Sequence, residues 1–95
     1  MFGNLDFLSE KQKQLDDKLA EMELFVSTAE DRVQVKANGK GKILDLKIDP
    51  ELVEERDTDA IEDFVLLAMN EMTEKVAEVQ MNQSKDLLSG LIPGM

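Results

Sequence analysis

Two short alternating stretches joined by an Asn-Gly pair constrain this chain more than any other feature. From Val33 to Leu52 it reads VQVKANGKGKILDLKIDPEL. Val33, Val35 and Ala37, and then Leu44, Leu46 and Ile48, put an apolar residue at every second position, the period at which one face of a strand meets a core. Asn38-Gly39 tolerates the positive φ angles of a tight hairpin turn, so the two runs are expected to pair antiparallel. Asp49-Pro50-Glu51 then reads as a helix start: an N-cap, a residue suited to the first helical position, and an acid at the positive end of the dipole.

Helical patterns flank this hairpin. From about Asn4 to Leu24, apolar residues at Leu5, Leu8, Leu15, Leu19, Met22 and Val26 recur in steps of three and four if Gln12 fills one position. This narrow stripe on a polar helix implies contact with one neighbouring helix, in the same protomer or across a subunit boundary. Phe25, Val26 and Thr28 favour a strand, and Ala29-Glu30-Asp31 reads as a turn, so a third strand precedes the hairpin and completes an antiparallel meander. The helix begun at Asp49 is short, interrupted by Glu54–Asp59. A new start follows, with Asp59 and Glu62 spaced like a capping box. From there to about Lys85, Ile61, Phe64, Val65, Ala68, Met72, Val76 and Val79 keep helical spacing, and the tail 87–95 is expected to leave the helix at Gly90 and be flexible.

The long helix calls for a second subunit. Its Phe64–Met69 run is apolar on more than one face, and three strands cover only one side of it. We therefore expect a homodimer with Ile61, Phe64, Val65, Leu67, Ala68, Met69 and Met72 as the interface. Met69, Met72 and Met81 suit packing better than an adaptable partner surface. Helix length agrees: residues 59–85 would span roughly 40 Å, whereas a compact chain of this size has a radius of gyration of about 13 Å. One end must project.

With 95 residues the chain forms one domain, residues 1–95, of α+β class. It contains no Cys and no His, so thiolate metal sites, disulfides and the commonest general bases and nucleophiles are excluded. No catalytic residue, metal site or cofactor is expected. Glu51–Asp63 does not make a calcium loop, because Ile61 occupies a ligand position after Asp57 and Asp59 and no glycine follows. The opening residues do not read as a signal peptide, so none is expected, and the longest apolar run falls far short of the roughly 20 residues a bilayer requires. The expected location is cytoplasmic.

Charge sorts the candidate sites. The net charge is -10, yet residues 1–48 carry eight basic and nine acidic side chains against three and twelve in residues 49–95. Within residues 32–48, Arg32, Lys36, Lys40, Lys42 and Lys47 face Asp45 alone. This basic hairpin is the candidate surface for phosphate, with Lys11, Lys13 and Lys18 on the first helix as a second contact. The same lysines also serve to keep strand edges soluble. The four Phe fall in apolar patterns, so base stacking is not expected.

These elements in order, with VKANGKGKILDLKIDPELVEERDTDAIEDFVLLAMNEMTEKV at the centre and GLIPGM at the end, resemble the YbaB/EbfC family of bacterial nucleoid-associated proteins. The resemblance rests on Asn38-Gly39, Ile48-Asp49-Pro50-Glu51-Leu52, the acidic run into Ile61-Glu62-Asp63, Asn70-Glu71, Gly90-Leu91 and Pro93-Gly94. It implies a tweezer-like homodimer with projecting helices, binding of double-stranded DNA without strong sequence preference, and a place in nucleoid organisation or gene regulation. The first turn departs from the family's usual glycine-rich form, being Ala29-Glu30-Asp31, and the first helix is net acidic. An acidic dimeric protein–protein adaptor of the same fold is the competing expectation.

Overall fold

The computed structural model describes residues 2–91. Helix α1 (Phe2–Glu21) leads into strands β1 (Glu23–Thr28), β2 (Val33–Asn38) and β3 (Ile43–Ile48), followed by the short helix α2 (Pro50–Glu54) and the long helix α3 (Thr58–Leu91). The strands form one antiparallel sheet in the order β1-β2-β3. The molecule is elongated, 63 × 22 × 16 Å with a radius of gyration of 18.3 Å, because α3 outruns the sheet.

Local chemistry accounts for the helix boundaries. The Asp49 carboxylate accepts the Glu51 N–H at 2.9 Å with Pro50 in the first turn, as its sequence suggests. The start of α3 differs from the sequence reading: the cap is Asp57, whose carboxylate accepts the Ala60 N–H at 3.1 Å, so Asp59 lies inside the first turn. Nor does the helix stop near Lys85. It continues to Leu91, taking in Gly90, which has open space around it. Of the expected tail, residues 87–91 are helical and residues 92–95 lie outside the described residues.

The core lies between the sheet and α3. Leu24, Val33, Val35 and Ala37 meet Ala68, Met72 and Val76, with Leu52 of α2 closing one end. Thr28 is buried on the same side, its hydroxyl donating to the Phe64 carbonyl at 3.1 Å. Helix α3 lies over β1 and β2, which leaves β3 thinly covered: Leu44 and Leu46 are 44% and 41% exposed despite their inward spacing. The alternation in β3 thus holds at Leu46 and Ile48, opposite Val35 and Val33, but is broken by a bulge that sets Ile43 rather than Leu44 opposite Ala37, and it does not give the cover. The stripe on α1 packs within the same protomer, Leu19 being buried and Leu15 half-buried.

Burial also revises the expected interface. Ala68 and Met72 are 0% and 1% exposed inside a single protomer, so they belong to its own core and cannot face a second subunit. Ile61, Phe64, Val65 and Met69 are half-buried against that core. Leu67 alone of the seven is largely open, and Leu66 beside it is more so.

Both turns differ from simple expectation. Asn38 and Gly39 are not in the left-handed region; in the β2–β3 connection that role falls to Gly41, with φ 92°. Asn38 organises the turn through its side chain, whose oxygen accepts the N–H groups of Lys40 and Lys42 at 2.9 and 3.0 Å. In the β1–β2 turn, Ala29, Glu30 and Asp31 are all left-handed, with φ of 55°, 58° and 69°. Each such residue costs roughly 1–2 kcal/mol relative to its ordinary conformation. Bonds from the Ser27 hydroxyl to the Asp31 carboxylate and from the Arg32 N–H to the Ala29 carbonyl hold the turn in place. Glu30 makes neither. Replacing Glu30 by Gly should therefore raise stability by about 0.5–1 kcal/mol, the relieved strain exceeding the extra unfolded-state entropy. A thermal melt checks this, and a lowered midpoint would contradict it.

Candidate nucleic-acid interface

The eight candidate cations fall into separate groups. Arg32 is a structural arginine: half-buried, it donates through Nε to the Ala29 carbonyl at 3.1 Å and through Nη1 to Glu55 at 3.2 Å, joining the first turn to the end of α2. Its charge is already committed. Lys36 and Lys47 stand on the outer face of the sheet, away from α3, where register sets Lys36 opposite Asp45 and Lys47 opposite Gln34. Lys36 lies 3.8 Å from Glu23, a long surface pair worth little.

Lys40 and Lys42 occupy the β2–β3 turn and are exposed. That turn is docked on both long helices. The Gly39 N–H donates to the Leu19 carbonyl near the end of α1 at 2.8 Å, and the Gln80 amide of α3 donates to the Gly39 carbonyl at 3.0 Å. Lys40 accordingly lines a shallow groove with Gln12, Asp16 and Ser84. On α1, Lys11 and Lys18 line a second groove, of about 280 Å³, against Gln83, Asp86 and Leu87 of α3, and the Lys11 ammonium also sits 5.5 Å from the Phe7 ring centre. Lys13 is exposed on α1. Among the described residues the salt bridges are those of Arg32 and Lys36, so the turn lysines, Lys47 and the α1 lysines keep their charge for other partners.

Two relevant residues escaped the sequence reading. Phe25 is 59% exposed on the outer sheet face, directly opposite Lys36, and with Ser27, Gln34, Asp45 and Lys47 it lines a concavity of about 420 Å³. Strict alternation would have found it, since Leu24 and Val26 point inward. Lys75 of α3 donates to the Phe25 carbonyl at 2.8 Å, a contact that no sequence pattern signals. The acidic residues of α2 and early α3 form no carboxylate group able to hold a metal ion among the described residues. No helix there is long and apolar enough to cross a membrane.

This arrangement has known counterparts. A solved crystal structure, that of an uncharacterized protein from Helicobacter pylori, superposes with a TM-score of 0.83 at 29% identity, covering 90% of each chain. A nucleoid-associated protein of Clostridium novyi is 34% identical over 93% of this chain and 78% of its own length. One from Clostridium kluyveri is 37% identical over 98% of this chain and 89% of its own, and one from Rhizobium meliloti is 30% identical over 100% and 91%. Residues 1–91 match the YbaB/EbfC DNA-binding family, and the chain belongs to that family.

Proposed function

We propose that this protein is a nucleoid-associated, homodimeric DNA-binding protein that contacts duplex phosphate through the β2–β3 turn, in the bacterial cytoplasm. The observation that carries this reading is the position of Lys40 and Lys42: exposed, without salt bridges among the described residues, and on a turn whose backbone is fixed to both helices. Lys36 extends the same surface onto the sheet. Lysines that neutralise phosphates release condensed counterions, which gives affinity without base recognition. The acidic remainder, concentrated in residues 49–95, opposes binding at long range, but at physiological salt its field is largely screened beyond about 8 Å. Dimerisation doubles the patch, and the exposed Leu44, Leu46, Leu66 and Leu67 are the surface that a second subunit would cover.

Titration of duplex DNA at several salt concentrations tests the reading. Removing the charges of Lys36, Lys40 and Lys42 together should weaken binding about tenfold or more and make the salt dependence shallower by roughly 5 in log–log slope, since the dimer loses three phosphate contacts from each protomer. Wild-type protein that binds no duplex even at low salt would overturn the assignment and leave the adaptor reading.

A further inference from the structure

Asn38 is the one asparagine of the chain followed by glycine; Asn4, Asn70 and Asn82 precede Leu5, Glu71 and Gln83. That pairing is chemically distinctive. With no Cβ beside it, a glycine nitrogen can reach the preceding side-chain amide and close a succinimide ring, a reaction that a bulkier neighbour hinders. In the folded protein the two reacting groups are treated oppositely. The Asn38 side-chain oxygen accepts the N–H groups of Lys40 and Lys42 at 2.9 and 3.0 Å, donors that polarise the amide and stabilise negative charge on its oxygen as a nucleophile adds. The nucleophile, however, is withheld. The Gly39 N–H donates to the Leu19 carbonyl at 2.8 Å, so the proton that must leave is engaged and the nitrogen is tied to the end of α1. Gln80 of α3 holds the same residue through its carbonyl. The Asn38 N–H donates to the Lys42 carbonyl at 2.9 Å and the Asn38 carbonyl accepts the Gly41 N–H at 3.0 Å, which fixes the backbone that ring closure would have to rotate. Both Asn38 and Gly39 are buried.

We propose that Asn38 is a modification site, a point of deamidation that docking of the β2–β3 turn on α1 and α3 keeps closed and that undocking opens. When the turn lifts from α1, a solvent base takes the Gly39 amide proton and the nitrogen bonds to the Asn38 Cγ. The Cγ–Nδ2 bond breaks, and the nitrogen leaves as ammonia after regaining a proton from the protonated base. Water then opens the succinimide. Addition at Cγ breaks the bond just formed and gives aspartate, whereas addition at the main-chain carbonyl carbon of residue 38 breaks the original peptide bond and gives isoaspartate, with the chain routed through Cβ. Nothing is oxidised or reduced. Either product sets a carboxylate between Lys40 and Lys42. Aspartate keeps an oxygen for their two N–H groups, so the turn can close again with part of its positive charge offset. Isoaspartate adds a methylene to the main chain before Gly39, and the Gly39 N–H no longer meets the Leu19 carbonyl in register. The site thus records time spent with the turn open. Its effect on charge rests on the phosphate reading above; its chemistry does not.

Peptide mapping by mass spectrometry, on the full chain held at mildly alkaline pH, tests the proposal. Folded wild type should convert Asn38 at least about tenfold more slowly than the same chain unfolded in guanidinium chloride. Gln80→Ala, confirmed as folded by circular dichroism, removes one hold on the turn without touching the reacting residues. It should raise the folded-state rate about threefold or more, with Asn70 and Asn82 unchanged as internal references. Folded protein that converts Asn38 as fast as the unfolded chain overturns the proposal. Slow conversion that Gln80→Ala leaves unaltered overturns the role given to docking. The Asn38→Asp protein reproduces one product and should bind duplex DNA about threefold more weakly than wild type. Equal affinity overturns the charge effect, while a wild type that binds no duplex overturns the DNA reading and leaves the conversion rates to decide the modification.

Discussion

Gly39→Ala should lower folding stability by about 2–3 kcal/mol, a fall of roughly 10–20 °C in melting temperature for a domain of this size. The cause is proximity. A Cβ added at Gly39 would lie 2.7 Å from the Leu19 carbonyl oxygen and 3.1 Å from the Leu19 Cα, and helix backbone cannot swing aside as the end of a flexible side chain can. Relieving the overlap means drawing the turn away from α1, which lengthens the Gly39–Leu19 hydrogen bond and loosens the Gln80 contact to the Gly39 carbonyl. Gly41 offers a contrast: its added Cβ would meet Val76 at an ordinary 3.4 Å, and its cost comes from a φ of 92°. Urea unfolding of both variants measures the difference. A Gly39 variant within about 0.5 kcal/mol of wild type, the range of neutral surface changes, would show that the docking of the turn on α1 contributes little.

Met72→Ala should be costlier still, at about 2–4 kcal/mol, because it deletes a flexible apolar side chain from a site with no solvent access and leaves a cavity under the sheet. The residue packs with Val33, Val35 and Ala68 inside one protomer. The loss should therefore appear as an earlier loss of helical circular dichroism in denaturant. Leu67→Ala, at a site 49% exposed, should leave that transition nearly unchanged. If instead Met72→Ala left stability intact and only weakened self-association, the placement of Met72 in the core would be wrong.

These contrasts show where the sequence was informative. Period-two alternation in Val33–Ala37 and the Asp49-Pro50 cap are local signals, and the three strands, the short helix and the long helix follow from them. The cover over each strand is a tertiary fact. Leu46 and Val35 have the same spacing signature, yet α3 buries one and leaves the other open, because a single helix cannot span three strands. Met72 lies on the helical stripe from Ile61 to Val79 and Leu67 off it, so the spacing already separates them; what the spacing does not display is that the sheet of the same protomer covers the stripe. Asn38-Gly39 did mark a turn, but for reasons the dipeptide does not display: an asparagine side chain bonding forward, and a glycine pressed on a distant carbonyl. Among the cations, Arg32 looked equal to its neighbours until Glu55, far along the chain, was brought beside it.

Among the described residues, the buried ones of α3 end at Val76, although the helix continues to Leu91. Past that point Val79, Gln80, Gln83 and Leu87 are only half-covered. Opening free energies along one helix follow the contacts each turn makes, so resistance to amide exchange should be greatest around Met72 and decline turn by turn toward the tip. The projecting part then behaves as a graded spring rather than a rigid rod. A load at its end can unwind the outermost turns while the sheet, and the lysines fixed to its turn, stay where they are.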